Sequence, residues 1–135
     1  MTYAELEQTL PALQESEGVK FKDLTKAGIG FQVVKHIHKG ENYRVLALFR
    51  YLECIAYLLV VNGEIVEDII LFGILLGTIR ENKGLTINDI YEKTGLSPQQ
   101  IVAIEHGRNY YRSTLIKYIE ALDLDFNVKS MLDVI

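Results

Sequence analysis

The stretch LGTIRENKGLTINDIYEKTGLSPQQIVAIEHGRN, Leu76 to Asn109, carries the punctuation from which the fold is read. Thr86, with Asp89 three residues later, has the form of a helix start, and Thr94-Gly95 that of its stop. Ser97-Pro98-Gln99-Gln100 then packs three start signals together. These are a serine cap, a proline at the first helical position, and a glutamine that closes the capping box. The helix so opened runs to His106 and stops at Gly107. Two short helices joined by a tight Thr94-Gly95-Leu96-Ser97 turn have the layout of a helix-turn-helix. Gly95 permits the turn, Leu96 pins it to a core, and the second helix projects its first turns outward. Glutamine amides there suit the N6 and N7 edge of adenine in a major groove.

Working outward, Ile69 to Asn82 is an unbroken run with Phe72, Leu75, Leu76 and Ile79 on one face and Gly84 as a stop. Ser113 caps a further helix carrying Leu115, Ile116, Ile119 and Leu122, and Val128, Met131, Leu132 and Ile135 predict a last one. Residues 68–135 therefore read as an all-α domain of five helices. Toward the N-terminus, Thr2 and Glu5 form a capping box ahead of Tyr3, Leu6, Leu10 and Leu13 at helical spacing. That helix is expected to bend or break near Pro11. Phe31-Gln32-Val33 opens a strand with His36 and His38 two apart on one side, Lys39 to Asn42 is a turn, and Asn62-Gly63 is a strong hairpin signal. Two readings compete for Tyr43 to Tyr57: a helical stripe of Val45, Phe49, Leu52, Ala56 and Leu59, or a strand over Tyr43 to Phe49. Sheet is favoured, because an isolated hairpin needs neighbours. The fold class is then α+β: a helix plus antiparallel hairpin in residues 1–67, followed by the helical domain. No internal repeat or low-complexity tract is expected.

The 135 residues include 14 Lys plus Arg against 18 Asp plus Glu, and 49% of the chain is hydrophobic. This is a globular composition without the basic excess of a nonspecific polyanion binder. The richest apolar window, Val45 to Val61, holds Arg50 and Glu53, and TYAELEQTL after Met1 is acidic and amphipathic. Neither a membrane helix nor a signal peptide is expected, and a cytoplasmic location follows. Cys54 stands alone and reads as a small core residue, while Tyr43, Tyr51 and Tyr57 read as packing residues. His36 and His38 lack further ligands, so no metal site is expected. No nucleophile, phosphate-cradle or zinc-hydrolase pattern is present, and neither an enzyme nor a cofactor is expected.

Leu76 to Asn109, continued through STLIKYIEALDLD, resembles the phage repressor and Cro type (XRE) helix-turn-helix family. The resemblance spans Ile69 to Val128 and rests on Arg80, Lys83-Gly84-Leu85-Thr86, Thr94-Gly95-Leu96-Ser97, Ile101 and Ile104-Glu105 before Gly107. It implies a five-helix domain that binds operator DNA, usually as a dimer. By position, Gln99, Gln100 and Ala103 would meet base edges. Thr86 and Ile87 would anchor a phosphate, and Arg108, Asn109, Tyr110 and Arg112 would lie along the backbone. Arg80 and Glu105 would form a structural pair. Ile87 and Tyr91 stand where the family commonly has glutamine and alanine, the latter implying altered packing between the two helices.

Charge distribution agrees with this. Residues 71–135 carry seven basic groups against eight acids, yet His106 to Lys117 holds Arg108, Arg112 and Lys117 with no acid. The expected function is a sequence-specific repressor or autoregulator that reads a palindromic operator as a homodimer, with double-stranded DNA as partner. Residues 1–67 would dimerise it or bind a partner. With seven basic against ten acidic residues up to position 70, that half also suits an antitoxin clamping a basic toxin. The third alternative is a helix-turn-helix that serves only protein interaction.

Overall fold

The computed structural model describes residues 1–134, so Ile135, expected in a last helix, lies outside the described residues. Eight helices and three strands follow one another: α1 Tyr3–Ser16, α2 Phe21–Lys26, α3 Phe31–Lys39, α4 Val45–Cys54, β1 Tyr57–Val61, β2 Glu64–Val66, α5 Ile69–Asn82, α6 Ile87–Thr94, α7 Pro98–Glu105, α8 Arg112–Glu120 and β3 Phe126–Ser130. A 3-10 turn, Met131–Val134, closes the described chain. The strands make one antiparallel sheet in the order β2-β1-β3. Among the described residues no helix is long and apolar enough to cross a membrane.

Where caps are explicit, the elements fall where the sequence puts them. Thr2, Thr86 and Ser97 each close a capping box, with Glu5, Asp89 and Gln100 respectively. Asn62 and Gly63 both take positive φ, 50° and 80°, in the two-residue turn between β1 and β2. Pro11, in contrast, does not break α1, which runs through it.

Three expectations fail. Phe31-Gln32-Val33 opens a helix, α3, in place of a strand, so His36 and His38 do not share a face. Tyr43 to Tyr57 is mostly helix as well: α4 buries Val45, Leu48, Phe49, Tyr51 and Leu52, the helical stripe rather than the strand. The last helix expected from Val128, Met131 and Leu132 is replaced by strand β3, which holds Val128, and by the short 3-10 turn that holds Met131 and Leu132. Its Phe126 to Ser130 pair antiparallel with Val61 to Tyr57. The neighbour that the hairpin needs thus comes from the far end of the chain.

The fold is an internal duplication, which overturns the expectation of no repeat. Helices α1 and α5 are both fourteen residues long and start 66 positions apart, at Tyr3 and Ile69. Helices α2 and α6 also start 66 apart, at Phe21 and Ile87. One added residue later, α3 and α7 start 67 apart (Phe31, Pro98), as do α4 and α8 (Val45, Arg112). Backbone singularities follow the same offsets: positive φ recurs at Gly18 and Gly84, Gly28 and Gly95, Gly40 and Gly107, and Ala56 and Asp123.

The two copies face each other across a pseudo-two-fold axis. The β1–β3 pair Val60↔Asn127 and the isolated bridge Arg44↔Tyr111 each join residues 67 apart, which are equivalent positions. Contacts around the axis are reciprocal. The Val45 N–H donates to the Tyr110 carbonyl at 2.8 Å, and the Arg112 N–H to that of Tyr43 at 2.7 Å. The Asn109 Oδ1 accepts from the Leu46 N–H at 3.3 Å, and the Asn42 Oδ1 from that of Ser113 at 3.0 Å. This is the self-complementary pattern of a two-fold dimer, here within one chain. The position 67/68 falls between β2 and α5, yet one hydrophobic core runs through both copies, from Tyr3 to Phe126.

Candidate nucleic-acid interface

The C-terminal reader is built on α6 and α7. Gly95 ends α6 in the left-handed conformation at φ 77°, and buried Leu96 anchors the turn. The axis of α7 is then set by its contact with α5. A Cβ on Gly73 would come within 2.6 Å of the carbonyls of Ile104 and Glu105, so that close approach requires glycine. The Arg80 guanidinium grips the Glu105 carboxylate bidentately, Nε at 2.7 Å and Nη2 at 2.9 Å, and its Nη1 donates to the Leu85 carbonyl at 2.8 Å. The Tyr118 hydroxyl donates to the same carboxylate at 2.6 Å. The pair is largely buried, and its hydrogen bonds to Glu105 raise the Arg80 guanidinium pKa further. This network ties α5, α7 and α8 together and leaves the opposite face of α7 free.

On that face Gln99 is exposed, and among the described residues its amide holds no hydrogen bond. Ala103, four residues on, is half-buried beside it. Gln100 is exposed but committed: its Oε1 accepts from the Ser97 N–H at 2.9 Å. A bidentate adenine contact needs both ends of the amide, so Gln100 can read a base that way only with the box open. Thr86 is exposed at the start of α6, its hydroxyl accepting from the Asp89 N–H at 3.0 Å. Ile87 is half-buried against the core, and its side chain offers no donor. Tyr91, expected in the helix–helix contact, is 46% exposed.

The loop after α7 differs more from expectation. Arg108 and Asn109 are exposed, although the Asn109 side chain braces Leu46. Tyr110 and Arg112, expected along the DNA backbone, are turned inward. Tyr110 is buried with its hydroxyl unpartnered, and burial pushes its pKa well up. Arg112 donates from Nε and Nη2 to the two oxygens of Glu7, each at 2.7 Å, and Glu7 is 1% exposed. The Tyr43 hydroxyl adds a third bond to that carboxylate at 2.7 Å, and Tyr3 pairs with Tyr43 at 2.5 Å. Arg112 therefore links the two copies and is not available to phosphate.

A residue that sequence reasoning missed stands in its place. Arg44 is exposed at the pseudo-two-fold axis, its guanidinium 4.5 Å from the Tyr111 ring centre. No carboxylate pairs with it among the described residues. The repeated Asn42-Tyr43 and Asn109-Tyr110 pairs are the signal that would have located it.

Elsewhere, the Tyr51 hydroxyl donates to the Gln14 Oε1 at 2.7 Å and meets the His38 Nε2 at 2.8 Å. Burial lowers the His38 pKa. Gln14, His38 and Tyr51 occupy the positions equivalent to Arg80, Glu105 and Tyr118, and the Gln14 Nε2 donates to the Val19 carbonyl as Arg80 does to Leu85. Among the described residues no cluster of His, Cys, Asp or Glu is arranged to hold a metal. Cys54 is half-buried, and burial raises its thiol pKa.

Neither the curated proteins nor the solved structures compared with this chain include a match. One family of known proteins does match: residues 73–128, the stretch from α5 through α6, the turn, α7 and α8, fit the model described as a helix-turn-helix domain.

Proposed function

We propose that the protein is a sequence-specific DNA-binding transcriptional regulator, a repressor or autoregulator acting by operator occupancy in the cytoplasm. The observation that carries this reading is the exposed, uncommitted Gln99 on a helix held rigidly by the Arg80–Glu105 pair, within a segment matched by a helix-turn-helix family. Gln99 and Ala103 would face base edges, the first pairing with adenine and the second meeting a thymine methyl group. Thr86, Arg108 and Arg44 would position the backbone. A palindromic operator asks for two-fold symmetry in its reader. A homodimer would supply it, and so would the pseudo-two-fold already inside the chain. The antitoxin alternative relied on an acidic N-terminal half, but all seven of that half's basic residues lie between Lys20 and Arg50, alongside only Asp23 and Glu41. A basic toxin therefore finds no uniformly acidic surface there.

The test is selection of bound fragments from a random duplex pool at about 150 mM salt, where nonspecific binding is suppressed. Wild type should enrich a defined site, and Gln99→Ala should lose preference at one or two of its positions. Enrichment of nothing by a folded protein would refute the reading.

A further inference from the structure

We infer that the N-terminal half is a second DNA reader, so that one chain covers two half-sites as an intramolecular pseudo-dimer with α3 as the second reading helix. The inference extends the proposed function and rests on the duplication, not on the matched family segment, which begins at residue 73. Helix α3 is the counterpart of α7. Gly28, just past the Ala27 cap of α2, and Gly95, the cap of α6, both have positive φ, and the Lys20 N–H donates to the Asp23 carboxylate as the Thr86 N–H does to that of Asp89, each at 2.8 Å. Gly40 and Gly107 then close the two helices in the same left-handed conformation. The loops that follow α3 and α7 meet at the axis through the Arg44↔Tyr111 bridge, so the reading helices flank it on either side. Two helices flanking a two-fold axis are what a pair of adjacent half-sites requires.

The residue types fit the role. Equivalent to Gln99 is Gln32, exposed on α3, and equivalent to Ala103 is His36, which is half-buried. Phe31, at the first helical position, is 50% exposed, and the Lys35 Nζ lies 5.3 Å from its ring centre. Between Lys20 and Lys39 the chain has five lysines and two histidines against one acid, Asp23, and that acid is occupied in its cap. The equivalent stretch of the C-terminal copy, Thr86 to His106, has one lysine against Asp89, Glu92 and Glu105. The N-terminal copy is thus the more basic reader, although its half of the chain is acidic in sum. Because Lys35 and His36 stand where the other copy has Val102 and Ala103, the two half-sites must differ in sequence. The operator is an imperfect palindrome with one half for each copy.

The experiment uses the full chain and the duplex enriched by wild type, with base substitutions placed in each half in turn. Gln32→Ala/His36→Ala should weaken binding about tenfold or more and become indifferent to changes in one half only, while Gln99→Ala becomes indifferent to changes in the other. Circular dichroism confirms that both variants are folded. If Gln99→Ala alters base preference and Gln32→Ala/His36→Ala leaves affinity and preference at wild-type values, the N-terminal reader is refuted and the C-terminal one stands. If wild type enriches no site, both fall together.

Discussion

Replacing Glu7 with alanine should destabilise the fold far more than loss of an ordinary surface charge. The Glu7 carboxylate is 1% exposed and accepts three bonds, two from Arg112 and one from Tyr43, each at 2.7 Å. Its removal strands the Arg112 guanidinium, whose side chain is 16% exposed, in a site with no other acid in reach. Breaking such a buried pair costs about 3–5 kcal/mol, and the partial access of water to Arg112 sets the lower end, about 3. With a urea slope of about 2 kcal/mol per molar, the unfolding midpoint should fall by roughly 1.5 M. Replacing both partners, Glu7→Met with Arg112→Met, should recover most of that loss, since no uncompensated charge remains. A loss below about 1 kcal/mol for Glu7→Ala would refute the reasoning. That is the value expected of an exposed pair, and it would return Arg112 to the solvent side.

Other outcomes follow from the same geometry. Tyr43→Phe should cost about 1 kcal/mol or more by removing a bond to buried Glu7, whereas Tyr110→Phe removes an unpartnered hydroxyl and should be neutral or stabilising; urea midpoints of the two variants decide it. Gly73→Ala should disturb the α5–α7 contact and cost about 1–3 kcal/mol, because its Cβ would meet two carbonyl oxygens at 2.6 Å; a thermal melt reads the loss. The His38 pKa is lowered in the fold by burial, so the unfolded chain takes up its proton first. Stability from this residue is complete above the unfolded value, about 6.5, and is lost as pH falls through the folded one. Melting temperatures between pH 7 and pH 5 should drop less in His38→Gln than in wild type.

The C-terminal copy was legible because its boundaries are written in side chains that can do little else there. Thr86 with Asp89, and Ser97 with Pro98 and Gln100, each satisfy backbone donors that a helix start leaves open. The N-terminal copy has Gly30-Phe31-Gln32-Val33 where the other has Ser97-Pro98-Gln99-Gln100, so α3 begins without a side-chain cap. Its aromatic and β-branched residues mimic a strand, and only packing of Val34 and Ile37 into the core makes it a helix. The strand β3 was hidden for the complementary reason: Val128 and Met131 fit a helical spacing, and the partner that makes Phe126 to Ser130 a strand is β1, far back in the chain. Of the candidate site, exposed positions on α7 were readable from the cap alone. The inward turn of Arg112 was not, because it depends on Glu7, which reaches it only through the duplicated fold.

The most direct test of the account is the stoichiometry of the complex with the enriched duplex, measured by native mass spectrometry or sedimentation. Two readers in one chain predict one protein chain per complete two-half site. Two chains on one site, each contacting an identical half through α7 alone, would contradict it.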